Sequence, residues 1–528
     1  MAEPTIQLGG GNWAGKSGNL LGYYEQNKKF YAEDFTFSRS TTGTYTDSDG
    51  YIQEMPYNLS TNSQPTSGVG FQTGVVFQQT DVYDWNGVYY GDNTVRRIAF
   101  FPNTTIVGQT YTFSIFVKLT DGSTPSVGNS ATDDFRMFNG TATTDSLTIT
   151  DLDNGIFRCS VVRTATSTTT NVAIEKQTYN SAKTFEVSGY QLNKGSSAKT
   201  YFPTTTRLNM PRVDYLNNSN GSLILEPQST NTLTYSEAFS QWSNVSTVTL
   251  TSGQLAPDGT LGATKISGTL GLSSIYLPSS TSTTATRSIY ARTVSGTGTA
   301  RLTSYYSNTN NLFTLTEEWQ RFELTGSSST GATNFYIDFR DTSQTLNEFI
   351  IWGGQSEELS YPTSYIPTSG SSVTRNADAC SITNVADRIG QTEGTLYGEF
   401  DFKDHSIGTR RLLCLTDGTS SNRITTYINT LDKLSVYIVN GGAAQADIQA
   451  TVLTEGIIKY AVAYANNNIK LYLNGTQVGT DTSATIPSTS DFLVGFEHSG
   501  SSSYFNWRNC QIYSTALSDS ELATLTTL

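Results

Sequence analysis

The chain has 528 residues, too many for one hydrophobic core, and its net charge of −13 weighs against a partner held through nucleic-acid phosphates. Tyr (30) and Phe (25) far exceed Met (4), only 15% of residues are charged, and Ser, Thr, Asn and Gly abound, a composition that fits pleated surfaces rather than helices and reads as all-β. No apolar run of about 18 residues occurs, so no membrane insertion by a helix is expected.

The chain begins "MAEPTIQLGGGNWAGK", with no basic stretch leading into an apolar one, so the expectation is folding in a cytoplasm, or exit by a route other than a signal peptide. Residues 1–34 read as an extended arm that is too Gly-rich to fold alone. Its apolar residues Trp13, Leu20 and Leu21 are candidates for packing on the chain's own body or on an assembly that the arm anchors to. Residues 35–57, "DFTFSRSTTGTYTDSDGYIQEMPY" from Asp34, alternate and then turn at Asp47-Ser48-Asp49-Gly50, which predicts a short hairpin. The acidic turn lacks the spaced oxygen set of a full calcium loop, so no metal is assigned there.

Residues 58–205 and 227–372 read as two copies of one β-sandwich of jelly-roll type. Gln191 and Tyr201 recur as Gln355 and Tyr365, 164 residues on, and Phe185, Gly189, Pro203 and Thr204 recur as Phe349, Gly353, Pro367 and Thr368. Ser114-Ile115-Phe116 matches Ser288-Ile289-Tyr290, and Ile156 with Arg158 matches Trp319 with Arg321. In each copy the final strand ends at a Tyr-x-Pro strap, where proline cannot continue a ladder and the aromatic ring pins the exit. Between the copies, residues 206–226 carry the turn Asn217-Asn218-Ser219-Asn220-Gly221. With 35–57 they predict a small β connector around the first sandwich.

Residues 373–528 predict a third sandwich. In "GTLYGEFDFK" Phe400 and Phe402 face inward while Glu399 and Asp401 face outward. "IIKYAVAYANNNIKLYLNGTQVG" gives strands around Asn466-Asn467-Asn468 and Asn474-Gly475, with Ile469, Leu471 and Leu473 toward the core. Ser518 with Glu521 forms a capping box, and Leu517 with Leu522 a staple, for one terminal helix.

The "KYAVAYANNNIKLYLNGTQV" hairpin and the "ALSDSELATL" ending make this last domain similar to concanavalin A-like or laminin G-like sandwiches. "FTFSRSTTGTYTDSDGYIQE", "PRVDYLNNSNGSLILEPQSTNTLTYSEAFSQW" and "SYPTSYIPTSGSSVTRNAD" resemble stretches of bacteriophage fibre and appendage proteins. "PTIQLGGGNWAGKSGNLLGY" is similar to the N-termini of virion proteins of phages of Bacteroidota-type hosts. The resemblance implies a head fibre, tail fibre or capsid or tail decoration, made in the host bacterial cytoplasm and housed in the virion. It further implies contacts with other virion proteins, homo-oligomers that are often trimers, and a host cell-surface glycan as ligand. It supplies no catalytic residues and no cofactor. A dedicated carbohydrate-binding adhesin is the alternative, and a glycan hydrolase a third.

Chemistry-bearing residues are few. His405 and His498 are the only histidines and both read as loop residues; Cys159, Cys380, Cys414 and Cys510 are widely spaced, as buried free thiols are. Glu399 and Asp401 share a strand face at a spacing that glycan-cleaving carboxylates use, but position 404 is Asp rather than Glu, and a wet strand face is the simpler reading. The aromatic cluster of "DVYDWNGVYYGDN", with Tyr83, Trp85, Tyr89 and Tyr90 in a Gly/Asp/Asn-rich stretch, is the candidate surface for a carbohydrate or a protein partner.

Overall fold

Period-two alternation is realised as antiparallel strands in the computed structural model, with one α-helix among the described residues, Asp519–Thr526, and a short 3-10 turn at Phe239–Gln241. The structure describes all residues except 1, 12, 17–18, 27–28, 56–57, 61–62, 64–70, 79–86, 106, 140, 143–145, 168, 200, 202–208, 280–284, 304–311, 327–333, 404–407 and 498–502. Two compact units result, one of residues 1–53, 208–251 and 264–528, the other of 54–207 and 252–263.

The first sandwich stacks two five-stranded sheets. One runs Leu147–Asp151, Ile156–Thr164, Thr110–Leu119, Phe185–Lys194, Gly87–Tyr89; the other runs Thr141–Ala142, Arg136–Asn139, Thr169–Lys176, Arg96–Thr104, Phe71–Thr73. Phe113, Ile115 and Val117 meet Phe135, Met137 and Ile174 in its core. The second sandwich repeats the plan around Ile266, Ile289, Phe335, Ile337, Phe349 and Ile351.

The duplication is exact enough to be read bond by bond. In each copy a glycine with positive φ, Gly189 (61°) or Gly353 (65°), sits in a bulge of the closing strand. A Cβ on Gly189 would come within 2.4 Å of the Phe116 ring, so only glycine fits there. Arg158 lies over Phe116 and donates to Ser114; Arg321 lies over Tyr290 and donates to Ser288. The strap tyrosines stand edge-on to those same rings, Tyr201 on Phe116 and Tyr365 on Tyr290. Upstream, Asn58 and Asn231 each brace the bulge, donating to the carbonyl of Tyr190 or Gly354 and accepting from the N–H of Leu192 or Ser356. Pro203 and Thr204 lie outside the described residues.

The third sandwich differs from the expectation in its boundaries. Its ladder runs Ala443–Val452, Lys433–Asn440, Arg423–Ile428, Arg410–Thr416, Asp491–Val494, Ala379–Ile382, Lys29–Ser38, Asn19–Gln26, Ile6–Gly9, Phe505–Tyr513, Glu393–Phe402, Gly456–Ala465, Asn468–Leu473, Thr476–Asp481. Ile6–Gly9, Asn19–Gln26 and Lys29–Ser38 are therefore strands that join the two faces of the C-terminal sandwich, and do not form a free arm. The reason is edge satisfaction: Phe505–Tyr513 and Ala379–Ile382 would otherwise show open backbone N–H and C=O groups, and alternating Ile6, Leu8, Leu20, Phe35 and Phe37 carry apolar side chains into the core they border. Ser222–Leu225 pairs with Phe505–Tyr513 beyond the end of Ile6–Gly9, so Leu223 and Leu225 enter that core too. The turn at 217–221 forms as predicted, and its hairpin meets the 43–55 hairpin as expected, Asp214 accepting from the Thr46 N–H, while Ser222–Leu225 also extends this domain's sheet. The 43–55 hairpin forms, Asp47 accepting from the N–H groups of Asp49 and Tyr51 to close its turn.

The other local expectations for this domain hold. Asn474 and Gly475 both take positive φ, as a two-residue hairpin turn requires, and Ser518 and Glu521 form the reciprocal capping box. The helix lays Leu522 on Tyr397, Ala461 and Tyr472, covering part of the sheet's outer face.

Two outcomes follow from these contacts. A fragment of residues 373–528 expressed alone is expected to lack cooperative unfolding and dispersed amide resonances, and to gain both on adding a peptide of residues 1–40; a well-dispersed spectrum from the fragment alone would refute the strand sharing. Gly189→Ala is expected to destabilise the first sandwich by roughly 1–3 kcal/mol, read by urea unfolding, because the left-handed backbone and the Phe116 contact act together.

Candidate functional site

Two groupings of polar side chains stand out in the C-terminal part of the chain, one sealed and one open.

The sealed grouping joins Arg39, Arg212, Glu226, Arg375 and Asp378, whose side chains are at most 1% exposed. Arg39 Nη1 meets Asp378 at 2.7 Å; Arg212 Nη2 meets Asp378 at 2.7 Å and Glu226 at 2.8 Å; Arg375 Nη1 meets Glu226 at 2.9 Å. Further bonds go to the backbone and to one hydroxyl, while Arg212 Nε and Arg375 Nε are buried without a hydrogen-bond partner. Arg39 donates to the Met210 carbonyl, Arg212 to the Thr44 carbonyl and to Ser364 Oγ, and Ser364 in turn donates to Glu226. Burial alone pushes Glu226 up, but Arg375 and Arg212 outweigh it and hold the carboxyl at about 2. Burial lowers Arg39 to about 10, with Asp378 opposing, whereas for Arg212 the attraction of Asp378 and Glu226 exceeds the cost of burial and raises it. No substrate reaches groups this deep, so the grouping is an interlock rather than a reactive centre. It was invisible to pattern reading because its members lie on separate segments, each a lone charge beside a strand.

Removing one partner leaves an uncompensated buried charge, so Asp378→Ala is expected to cost about 3–5 kcal/mol in urea unfolding. The Glu226 carboxyl is depressed below its ordinary 4.5, so the unfolded chain takes up the proton first. Its stabilisation is therefore complete above about pH 5 and fades as the pH falls toward about 2. Acid titration of the melting transition checks this, and Glu226→Gln should flatten the slope in that window.

The open grouping lies on the outer face of the sheet formed by Arg410–Thr416, Arg423–Ile428 and Lys433–Asn440. Ile424, Ile428, Leu434, Val436 and Ile438 point into the core, so alternation turns Arg423, Tyr427 and Tyr437 to the other face, where Thr425 and Ser435 between them are buried. Arg411 lies opposite Tyr427 and Thr425 opposite Tyr437. The guanidinium of Arg411 sits 5.3 Å from the Tyr427 ring centre and that of Arg423 5.6 Å from the Tyr437 ring centre. Glu497 bridges both, 2.6 Å from Arg411 Nε and 2.8 Å from Arg423 Nε. Asp447 faces Tyr437 from the next strand, and burial together with Asp447 raises the Tyr427 phenol, which stays protonated at neutral pH. The face thus presents planar hydrogen-bond donors placed over aromatic rings. The signal for it was present in the Arg-x-Thr-x-Tyr spacing of 423–427, which reads like any wet strand until its neighbours are known.

The sequence-predicted residues fall elsewhere. Tyr83 and Trp85 lie outside the described residues. Tyr89 is fully buried, stacked 4.8 Å from Phe185 in the first sandwich, and so offers no surface to a ligand; its strand position points it inward. Tyr90 is half-buried, with Arg96 over its ring at 5.1 Å and Arg96 paired to Asp92. Leu20 is buried in the C-terminal core, Trp13 packs against that core and donates to the Gly221 carbonyl, and Leu21 is half-buried, so none of the three projects from a free arm. Asp401 is held by Arg508 at 2.9 Å, and Glu399 accepts from the Tyr397 phenol at 3.1 Å, which engages both carboxylates of the suspected pair. Asp404, His405 and His498 lie outside the described residues. All four cysteines are buried and unpaired, and burial pushes the Cys159 and Cys414 thiols up to about 12.

With this geometry in view, comparison with known proteins is informative for one domain. Residues 403–523 match the concanavalin A-like lectin/glucanases superfamily. The C-terminal domain is a concanavalin A-like sandwich. No curated protein matches the chain. Among solved structures, the CBM40 of a Ruminococcus gnavus IT-sialidase is 21% identical over 26% of this chain and 84% of its own, with a TM-score of 0.23. The NanB sialidase of Streptococcus pneumoniae is 16% identical over 28% of this chain and 26% of its own, with a TM-score of 0.24. A heptameric SAP-like pentraxin from Limulus polyphemus is 14% identical over 25% and 68%, with a TM-score of 0.20.

Proposed function

We propose that this chain is a structural component of a bacteriophage virion — a head fibre, tail fibre or capsid or tail decoration — whose concanavalin A-like domain contacts glycans on the host surface. The observation that carries the glycan part is the outward face of Arg411, Arg423, Tyr427 and Tyr437 on a sandwich of the lectin/glucanase superfamily. Sugars are recognised by planar polar groups fixed in advance, and Glu497 with the two tyrosine rings fixes these guanidiniums before any ligand arrives. The engagement of Glu399 and Asp401 by Tyr397 and Arg508 favours binding over hydrolysis.

The virion part rests on the resemblance of residues 4–23, 35–54 and 211–242 to phage appendage proteins, and on an architecture of separately cored sandwiches that suits a rigid spacer. Assembly as a homo-oligomer, contacts with other virion proteins, residence in the virion and synthesis in the host cytoplasm belong to this same reading. With Trp13 and Leu20 engaged in the chain's own fold, the reading assigns attachment to a surface other than these residues.

Two measurements test it. Gold labelling at Leu528 is expected to decorate phage particles, and unlabelled particles would remove the virion role. The full-length protein is expected to be retained on immobilised host surface polysaccharide, and a Tyr427→Ala/Tyr437→Ala variant with an unchanged melting profile for the first sandwich is expected to be lost from it. No retention of the unmodified protein would leave a scaffold without a glycan ligand.

A further inference from the structure

The arginines of the C-terminal domain are not equivalent. Arg375, Arg388, Arg410, Arg423 and Arg508 each have an Nη atom on a carboxylate or a carbonyl: Glu226, Glu33, Asp432, the Ser420 carbonyl and Asp401 respectively. Arg411 is different. Its Nε is paired with Glu497 at 2.6 Å, its plane rests over Tyr427, and among the described residues neither of its Nη atoms takes a hydrogen bond. Its side chain is 36% exposed, against 16% or less for Arg423, Arg410 and Arg508.

We infer that Arg411 is the recognition residue of a site for a carboxylate-bearing sugar on this sheet face. The inference rests on the glycan reading above and narrows its ligand to an acidic one. A guanidinium pinned at Nε and supported from below keeps its outer edge as a two-pronged donor whose spacing matches the two oxygens of a carboxylate. That edge was fixed before binding, so little rotamer freedom is lost on contact. A neutral sugar offers that edge no charge to pair with and so gains less from the same surface. The charges facing the site are Arg411, Arg423, Glu497 and Asp447, with Asp491 on the neighbouring strand accepting from the Asn384 N–H and Asp417 accepting from Thr419 and Asn422. Glu497 is engaged twice, Asp491 and Asp417 are occupied by their own loops, and the open donor edge is that of Arg411. Gln449, exposed on the adjoining strand, is placed to meet a hydroxyl.

The test is isothermal titration of the full-length protein with oligosaccharides ending in galacturonate, glucuronate or neuraminate, each against its methyl ester. The methyl ester keeps the size and hydroxyl pattern and removes the charge. At least one acid is expected to bind about tenfold or more tighter than its ester, the scale of a charge-assisted hydrogen bond in place of a neutral one. The preference should shrink with added salt. Arg411→Gln should abolish it without shifting the melting temperature, and Arg411→Lys, which keeps the charge but not the fork, should restore only part of it. Equal binding of acids and esters, or a preference that survives Arg411→Gln, overturns the inference while leaving a neutral-glycan lectin standing. Failure of every sugar, acid or ester, overturns the inference and the glycan reading together.

Discussion

A carboxylate that must hold two guanidiniums at once fixes where three strands can go. Asp378 takes Arg39 on one oxygen and Arg212 on the other, while its partner Glu226 takes Arg212 and Arg375. Arg39 ends the strand that bridges the two faces of the C-terminal sandwich, Arg212 and Glu226 flank the 212–225 hairpin, and Arg375 and Asp378 follow the second sandwich. Ser364, on that sandwich's exit strap, completes the set. Such a network contributes modestly to stability against an apolar alternative, yet it tolerates no other arrangement, because any slip strands a charge out of water. Segments from four places in the chain are thereby held in one register, and the shared sheet around them depends on it.

A second economy runs through the molecule. Arginine is used as a spacer between an aromatic ring and a hydroxyl or carboxylate: Arg158 between Phe116 and Ser114, Arg321 between Tyr290 and Ser288, Arg411 between Tyr427 and Glu497. In the two tandem sandwiches the device lies beneath the exit strap and fastens it. Among the described residues of the C-terminal domain no strap lies over Arg411, and on the proposed reading the same side-chain chemistry serves recognition. Fastening and binding differ here in what lies above the guanidinium rather than in the residues below it.

Much of the architecture was legible. Alternation identified the strands, the Asn-Gly turns and the Ser518–Glu521 box marked where elements stop and start, and the duplicated endings announced two related sandwiches. The failures have physical causes. Gly9, Gly10 and Gly11 look like a flexible tether, but all three adopt positive φ in a tight turn, and a Cβ on Gly9 would strike Trp13 and the Arg508 carbonyl. Composition records permissiveness, and only the partner strand shows that the permissive residue is fixed. Tyr89 was grouped with its aromatic neighbours because they are adjacent in sequence, yet strand alternation turns it inward onto Phe185. Arg411 was passed over because an outward arginine on a wet strand is commonplace; what sets it apart is the unused half of its guanidinium, a property of its surroundings.

The pairing of Ile6–Gly9 with residues 509–512 has a consequence for how the molecule is made. The two strands are separated by about 500 residues, so at ordinary translation speeds of about 5–20 residues per second the first emerges some 25–100 s before its mate. Over that interval Ile6–Gly9 waits for its mate, whereas residues 58–372, which build the tandem sandwiches, are complete before it ends. The joint between these two strands is therefore closed late, only once residues 509–512 are made, and the sheet that both border stays incomplete until then.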